Sequence, residues 1–223
     1  MPLILSAGKS PVIFDLECHR CGRLADFLGE VRARYPDYHA RPVPAFGDDS
    51  PGLVIVGLAP GLHGANRTGR PFTGDFAGQL LYQTLYTHGF ASQAQSVAAD
   101  DPLVLYDCRI TNAVKCVPPK NRPMGPEIAN CNVYLRSELA AHASCTVILA
   151  LGVVAHSAVL RALQLKQAAY RFAHAAEHAL PDGRCLLDSY HCSRYNTQTK
   201  RLTTAMFEAV IGRARQLIDV PNP

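Results

Sequence analysis

Four apolar runs that alternate with helical patterns constrain the fold of this chain more than any other feature. The runs are residues 53–58, 103–106 continuing into Ile110, 146–151 and 185–187. A run without polar interruption is typical of a strand that helices cover on both faces. Helical spacing of apolar residues occurs at 76–86, 127–140, 154–163 and 202–218. Strands that alternate with helices predict a parallel α/β sheet with right-handed crossovers.

Size and composition predict that residues 1–223 form one folded domain. A chain of 223 residues is in the usual range of a single α/β domain. Its 48% hydrophobic and 18% charged residues differ from the composition of a disordered chain. The start, MPLILSAGKSP, has a short apolar run and no basic segment before it. We therefore expect neither a signal peptide nor a membrane span, and a cytoplasmic protein.

Three loops follow the first, second and fourth predicted strands. In open α/β sheets, ligands bind beyond the carboxyl ends of the strands. This rule selects residues 59–75, 111–121 and 189–201 as candidate site loops. The formal net charge of +4 permits contact with a polyanion but is weak evidence on its own.

Four of the eight cysteines have a pattern that predicts a metal site. Cys18 and Cys21 have two residues between them and stand before a predicted amphipathic helix in region 15–34, so both thiolates of one turn can reach one centre. Cys116 and Cys131 flank a proline-rich loop and the first turn of a helix. Four thiolates suit either zinc or a [4Fe-4S] cluster. One close pair plus two distant single cysteines favours the cluster, because zinc ligands usually come as two close pairs.

The other four cysteines are predicted to have no chemical role. Cys108, Cys145 and Cys185 lie in or beside apolar runs, where a free cysteine acts as a small buried hydrophobe. Cys192 lies in the polar stretch HCSRYN and could be a reactive thiol, but a passive loop cysteine is the preferred interpretation. Burial is also the alternative for Cys116 and Cys131.

The three loops carry residue types that suit recognition of a nucleic-acid base. The glycine-rich segment GLAPGLHGANRTGRPFTGD has no dinucleotide-binding spacing, but its Phe72 can stack on a base or pack under the loop. Asn112 in the second loop can read the edge of a pyrimidine. Lysines and arginines near both later loops can contact phosphates, namely Lys115, Lys120, Arg122, Arg194, Lys200 and Arg201. His191, taken alone, is more typical of a structural or surface histidine.

Together, GLAPG, GANRTGRPFTGD, TNAVKCVPP and DSYHCSRYN, with CxxC upstream, resemble the iron-sulfur uracil-DNA glycosylases, and in particular the broad-specificity group called family 5 or type b. The resemblance extends from Cys18 to about Leu202. It implies a three-layer α/β/α fold with a central four-stranded parallel sheet. It also implies a [4Fe-4S] cluster on Cys18, Cys21, Cys116 and Cys131, and excision of uracil and other deaminated bases, such as hypoxanthine or xanthine, from DNA.

The resemblance also implies roles for individual residues. By position, Phe72 stacks on the flipped base, Asn112 reads its edge and His191 lies against the uracil carbonyl oxygen. The expected base-binding set is Gly57, Ala59, Gly61, Phe72, Asn112 and Asn121, and the expected DNA-binding set is Arg67, Lys120, Arg194, Tyr195, Asn196, Lys200 and Arg201. Tyr195 is the bulkiest candidate for a wedge that fills the vacated stack.

Two positions depart from the related motifs. Leu58 replaces the glutamate of the G-E-A-P-G motif of narrower relatives, which leaves Asp75 as the carboxylate that orients the attacking water. A helix N-cap is an equally good interpretation of Asp75, and both can hold. Cys192 replaces the proline of a His-Pro-Ser motif, which could loosen the third loop. We expect a monomer acting on DNA that contains uracil or other deaminated bases; a non-catalytic metal-cluster protein that binds nucleic acid is the alternative.

Overall fold

A computed structural model describes residues 14–220 of the chain. The stretch MPLILSAGKSP, expected not to be a signal peptide, lies outside these residues. None of the helices in the described part is long and apolar enough to cross a membrane.

The four predicted strands form the centre of one twisted sheet. They are β2 (Leu53–Gly57), β3 (Cys108–Asn112), β4 (Val147–Leu151) and β6 (Cys185–Ser189), and they are parallel in the order β3-β2-β4-β6. The predicted four-stranded parallel sheet is therefore confirmed. Two short antiparallel strands that were not predicted extend the sheet to six strands in the described part of the chain, namely β1 (Phe46–Gly47) beside β3 and β5 (Glu177–Ala179) beside β6.

The second predicted strand starts later than its apolar run indicates. Leu103 and Leu105 are buried but precede the strand, which begins at Cys108. Asp107 has a left-handed backbone with φ of 52°, and its N–H donates to Asp48 Oδ2 at 2.9 Å. This turn separates the apolar run from the strand, so residues 103–106 pack in the core as a loop.

Within residues 14–220, seven α-helices cover the two faces of the sheet and its end. They are α1 (Gly22–Arg34), α2 (Ala65–Thr68), α3 (Phe76–Thr87), α4 (Gly125–Ala141), α5 (Val153–Ala162), α6 (Arg194–Gln198) and α7 (Thr204–Asp219), with short 3-10 helices at Pro119–Asn121 and Gln167–Ala169. Alternate residues of β2 face opposite sides of the sheet. Leu53 and Ile55 pack in the core that includes α3 and α7. Val54 and Val56 pack on the opposite face with α4 and α5. The result is the predicted three-layer α/β/α fold.

A third, smaller core attaches α1 to α4. Leu24 and Leu28 of α1 pack with Tyr134 of α4 and with the loop after β3. The Arg23 guanidinium donates to both carboxylate oxygens of Glu127 at 2.7 Å, and Glu127 also accepts the Met124 N–H that begins α4. This pairing fixes the CxxC end of α1 against the start of α4.

Candidate active site

One pocket opens at the carboxyl ends of the parallel strands, as the topology rule predicts. The three loops selected from the sequence all contribute to it. Its lining includes seven predicted base-binding or catalytic residues and one predicted DNA-binding residue: Ala59, Gly61, Phe72, Asp75, Asn112, Asn121, His191 and Arg194. Residues that are far apart in sequence thus meet at one place.

Phe72 forms a wall of the pocket in a strained backbone conformation. Its φ is 56°, in the left-handed region that is unfavourable for a bulky side chain, and its surface is 5% exposed. Two glycines make room for it. A Cβ at Gly57 would lie 2.7 Å from Phe72 Cζ, and a Cβ at Gly78 would lie 1.7 Å from the Phe72 carbonyl oxygen. Strain that surroundings maintain in this way is typical of functional sites.

Asn112 presents an unsatisfied amide oxygen. The residue ends β3, is 3% exposed, and its Oδ1 is buried without a hydrogen-bond partner among residues 14–220. A Cβ at Gly57 would lie 2.4 Å from this oxygen, so glycine at 57 is needed here as well. Buried polar atoms are nearly always paired, and an unpaired one beside a pocket points to a ligand that supplies the partner.

His191 is half-buried, lines the pocket and lies beside Phe72. The ring centroids are 5.9 Å apart and the planes are inclined by 26°. Its Nδ1 is buried and has no partner within the described residues. Loss of water around the ring lowers the pKa of His191 to about 4. The imidazole is therefore neutral near pH 7, with one N–H to donate and one nitrogen to accept.

Asp75 is both a helix cap and a pocket residue. Its Oδ1 accepts the Gly78 N–H at 2.8 Å at the start of α3, which confirms the N-cap interpretation. Its Oδ2 faces the glycine loop, because a Cβ at Gly61 would lie 3.4 Å from it and one at Gly64 would lie 2.7 Å from it. Burial raises the pKa of the Asp75 carboxyl, and the backbone N–H groups of α3 offset part of this rise. The second oxygen is thus placed to orient a ligand.

The third loop is fixed by Asn196 although it lacks the related proline. The Asn196 side chain donates to the His191 carbonyl at 2.8 Å, and the Asn196 carbonyl accepts the Leu202 N–H at 3.0 Å. Ser193 caps α6 by accepting the Asn196 N–H at 3.4 Å. The amide of Asn196, predicted to contact DNA, is therefore engaged inside the loop that carries His191.

The predicted DNA-binding residues are mostly exposed. Arg194 lines the pocket with its guanidinium 5.0 Å above the Phe76 ring. Tyr195 beside it is 71% exposed. Lys120, Lys200 and Arg201 are also exposed, whereas Arg67 lies outside the pocket and lines an adjoining groove that shares Asp75, Phe76 and Arg194 with it.

The sequence interpretation of Lys115 as a phosphate contact is wrong. Lys115 is 1% exposed, and its Nζ donates to both carboxylate oxygens of Glu138, at 2.7 and 2.8 Å, and to Thr111 Oγ1. The side chain points from the second loop into the layer between β3 and α4, so its charge is neutralised inside the protein. Spacing alone could not reveal this, because Glu138 is 23 residues away.

One wall of the pocket, the turn from β4 to α5, was not predicted from the sequence. Leu151, Gly152, Val153 and Val154 line the pocket there. Gly152 has φ of 93°, its N–H donates to the Ser189 carbonyl at 2.8 Å, and Val153 is 56% exposed. The same carboxyl-end rule, applied to the third predicted strand, would have found this turn.

The four predicted metal-ligating cysteines line a second, separate pocket. Cys18 and Cys21 precede α1, Cys116 follows β3, and Cys131 is in α4. Burial raises the pKa of Cys116 well above its usual range, and the three neighbouring cysteines raise it further. Burial also raises the pKa of Cys131 to about 11, although Lys115 offsets part of that rise. Four cysteines around one pocket, two of them with thiols that resist ionisation, fit a site in which a bound cation supplies the compensating charge.

The remaining cysteines match their predicted passive role. Cys108, Cys145 and Cys192 are buried and Cys185 is half-buried. Burial raises the pKa of the Cys192 thiol, and the charge of Asp75 raises it further. The thiol therefore stays protonated, which argues against a reactive cysteine in this loop.

Comparisons with known proteins agree with this geometry. The profile of the uracil DNA glycosylase superfamily matches residues 44–215. A type-5 uracil-DNA glycosylase of Thermus thermophilus is 46% identical over 205 residues, which is 90% of this chain and 93% of the relative. Type-5 uracil-DNA glycosylases of Pyrobaculum aerophilum and Mycobacterium leprae are 41% and 40% identical, over 89% and 91% of this chain and 88% and 92% of their own lengths.

Proposed function

The chain belongs to the uracil-DNA glycosylase superfamily and to its type-5 group, and we propose that it excises uracil from DNA by hydrolysing the N-glycosidic bond, leaving an abasic site. One observation carries the proposal. Two buried atoms without partners in residues 14–220, Asn112 Oδ1 and His191 Nδ1, meet in one pocket beside the ring of Phe72. An acceptor, a neutral imidazole and an aromatic wall are the groups that recognise a planar base.

The base-binding step uses Phe72 and Asn112. An enzyme that acts on a base in a duplex extrudes the nucleotide into a pocket, at a cost of a few kcal/mol that is smallest for a mismatched base. Uracil opposite guanine is such a base. The flipped ring stacks on Phe72, while Asn112 Oδ1 accepts an N–H from its edge. The backbone at Gly61 lines the pocket and lies close to the base because no side chain intervenes, whereas Gly57, which is not in the lining, leaves room for Phe72 and Asn112.

The hydrolytic step uses His191 and Asp75. As the bond between the sugar carbon and the base nitrogen breaks, its electron pair leaves with uracil and the sugar becomes positive. The neutral His191 donates an N–H to the uracil carbonyl oxygen, where negative charge develops. Water attacks the sugar carbon, and Asp75 Oδ2 orients it, stabilises the sugar cation and accepts the proton that the water loses. The base leaves with a proton from solvent.

The other parts of the chain hold the DNA and the fold. Arg67, Lys120, Arg194, Lys200 and Arg201 contact phosphates, and the exposed Tyr195 fills the vacated stack. Cys18, Cys21, Cys116 and Cys131 hold a [4Fe-4S] cluster, which, when bound, cross-links α1 to the loop after β3 and to α4. The cluster therefore has a structural role. The chain acts as one domain and as a monomer, in the compartment that holds the chromosome.

Other deaminated bases extend the substrate range. Stacking on Phe72 does not distinguish pyrimidines from purines, since every base has an aromatic face. The pocket wall at Val153 and Leu58 carries no hydrogen-bonding side chain that would reject a larger ring. Hypoxanthine and xanthine are accordingly the further substrates that we include in the proposal.

Incubation with a duplex that has one uracil, followed by alkali, tests the proposal. Strand cleavage at the uracil position, and none in an identical duplex with thymine there, is the expected result. A panel of duplexes with hypoxanthine or xanthine at the same position measures the range. Binding without any alkali-sensitive site would favour the non-catalytic alternative instead.

A further inference from the structure

The connection between α5 and β5, residues 163–176, packs beside the strand that leads to His191. Two hydrogen bonds that involve histidine rings help to hold this connection, beside the backbone hydrogen bonds between residues 175–176 and Asp188. His156 of α5 contacts the Tyr170 carbonyl, and His174 contacts the backbone of Tyr190. Neither histidine lines the active-site pocket. The hydrogen-bond partners of each ring determine its protonation state.

His156 lies between two groups that can only accept. Its Nδ1 is 2.8 Å from Asp188 Oδ1 and its Nε2 is 3.0 Å from the Tyr170 carbonyl oxygen, and the residue is 3% exposed. A carbonyl has no proton to give, and a carboxylate that also accepts from His178 Nε2 at 3.1 Å has none either. Against an ionised Asp188 both nitrogens of His156 act as donors, and an imidazolium is the form of the ring that satisfies both contacts.

His174 has the opposite requirement. Its Nδ1 accepts the backbone N–H of Tyr190 at 3.2 Å, so this nitrogen carries no proton. The His174 ring stacks on the Tyr190 ring with centroids 5.0 Å apart and planes inclined by 18°. Protonation of Nδ1 would place two N–H groups against each other. The contact forms only while His174 is neutral.

The His174 contact acts next to the catalytic loop. Tyr190 precedes His191 in the chain, and the Arg201 guanidinium lies 4.7 Å above the Tyr190 ring. His174 thus holds Tyr190 through the backbone N–H. The side chain of Tyr190 is held by the His174 ring and the Arg201 guanidinium. Displacement of Tyr190 would move the backbone that carries His191.

We propose that His174 is a positioning residue for His191, and that His174 and His156, through opposite protonation requirements, confine the docking of the 163–176 connection to a pH window. The effect of His174 on activity rests on the proposed glycosylase function. The docking of the 163–176 connection concerns the fold alone. No metal is needed to explain the His156, His178 and Asp188 group, because each close approach in it is a hydrogen bond.

The signs of the two pKa changes give the two limits of the window. Burial lowers the pKa of His174 below its ordinary value of 6.5, so its contribution is complete above that value and is lost as the pH falls. Burial alone would lower the pKa of His156, but Asp188 raises it above 6.5. Its contribution is complete below that value and is lost as the pH rises through the raised pKa. Docking is therefore most favourable around neutral pH.

The groups that face these rings are few among the described residues. His156 meets Asp188 from β6, His178 from β5, and the Tyr170 carbonyl and Phe172 ring from the connection. His174 meets the Tyr190 ring, which the Arg201 guanidinium also contacts. Burial lowers the pKa of His174. His191, which follows Tyr190 in the chain, also takes up a proton in acid, so a variant at His174 is needed to separate the two sources of an acid-side transition.

Hydrogen exchange of the Tyr190 amide, measured by NMR on the intact protein, tests the acid limit without using catalysis. After correction for intrinsic exchange, we expect protection to fall about tenfold or more between pH 7 and pH 5. In His174→Asn, an amide oxygen can accept the same N–H but does not titrate, so protection should stay constant. His142→Asn, which removes another histidine whose pKa burial lowers, is the matched control and should behave as the unchanged protein does. Constant protection in the unchanged protein would overturn the proposal.

Two further measurements complete the test. The ¹⁵N shifts of the His156 ring at pH 7 should show both nitrogens protonated, and one unprotonated nitrogen would overturn the basic limit. In the glycosylase assay, His174→Asn should keep a severalfold larger fraction of its neutral-pH kcat/KM at pH 5 than the unchanged protein does. If both proteins kept the same fraction of kcat/KM at pH 5 while hydrogen exchange changed as expected, His174 would have no positioning role, and the pH-dependent docking of the connection would still hold. Absence of activity at every pH would count against the proposed function alone.

Discussion

The Phe72 ring lies nearly parallel to the His191 imidazole, with centroids 5.9 Å apart and planes inclined by 26°. The two rings come from the first and third loops, which are separated by more than half of the chain. Their contact means that the stacking surface and the hydrogen-bond donor keep one relative orientation. A base that stacks on Phe72 therefore meets His191 at its edge in a fixed geometry, which is the condition for a preorganised site.

Replacement of Phe72 by alanine should lower kcat/KM on uracil-containing duplex by about 10- to 100-fold, because stacking of a base on an aromatic ring contributes about 1–3 kcal/mol. Tyr86→Ala, which removes an aromatic ring that is 50% exposed on α3, is the control and should have little effect. Initial rates at substrate concentrations well below KM measure both. Equal losses in the two variants would mean that Phe72 has only a packing role.

Two substitutions of Asp75 should separate its roles as helix cap and catalytic carboxylate. Asparagine is a good N-cap, so Asp75→Asn should keep the stability of the fold while turnover falls strongly. Asp75→Ala should lose turnover to the same extent and also about 1 kcal/mol of stability. Single-turnover rates and urea unfolding give the two quantities. Wild-type turnover in Asp75→Asn would show that the carboxylate is only a cap.

His191→Ala should lower single-turnover rates by an amount comparable to, or smaller than, the effect of Asp75→Ala. Loss of one donor that stabilises developing negative charge costs about 100- to 1000-fold. His191→Gln, which restores an N–H donor of similar reach, should recover part of the rate. If His191→Ala and Asp75→Ala both had wild-type rates, the assignment of the catalytic pair would be wrong.

Acid should destabilise the native protein partly through His191. Its folded-state pKa of about 4 is below the ordinary value of 6.5, so the unfolded chain binds a proton more readily. The stabilising contribution is complete above pH 6.5 and is lost as the pH falls toward 4. The urea midpoint should therefore drop less between pH 7 and pH 5 in His191→Gln than in the unchanged protein. An identical drop in both would contradict the lowered pKa.

Anaerobically purified protein should be coloured and should contain about four irons and four acid-labile sulfides per chain. Cys116→Ala should lose both, because a cluster needs all four thiolates. Cys145→Ala, in which a buried cysteine outside the site is removed, should keep them. A colourless, iron-free preparation that contains zinc would reverse the choice of metal.

Much of the fold was predictable because each central strand is covered on both faces. The alternation of Leu53 and Ile55 with Val54 and Val56 between two cores requires an apolar residue at every position, and that is visible in the sequence. The edge strands were not predictable, because Phe46–Gly47 and Glu177–Ala179 are short and half exposed. Their positions depend on neighbours in space and not on any local pattern.

The candidate site was predictable to the extent that its loops follow strand ends. Phe72, Asn112 and His191 meet in the pocket, as expected from three such loops. The burial of Lys115 and the bond from Asn196 to the His191 carbonyl were not predictable, since both depend on partners that only the folded chain brings near.

The position of Phe72 requires that residues 57 and 78 have no side chain. A Cβ at Gly57 would collide with the Phe72 ring, and a Cβ at Gly78 would collide with the Phe72 carbonyl oxygen. Neither glycine can acquire a side chain without moving the aromatic wall. Evolution toward a different base therefore cannot start at these positions by small steps. It has freedom at the other wall, where Val153 is 56% exposed. Changes of substrate range within this fold should accordingly begin in the turn from β4 to α5, while the first loop stays constant.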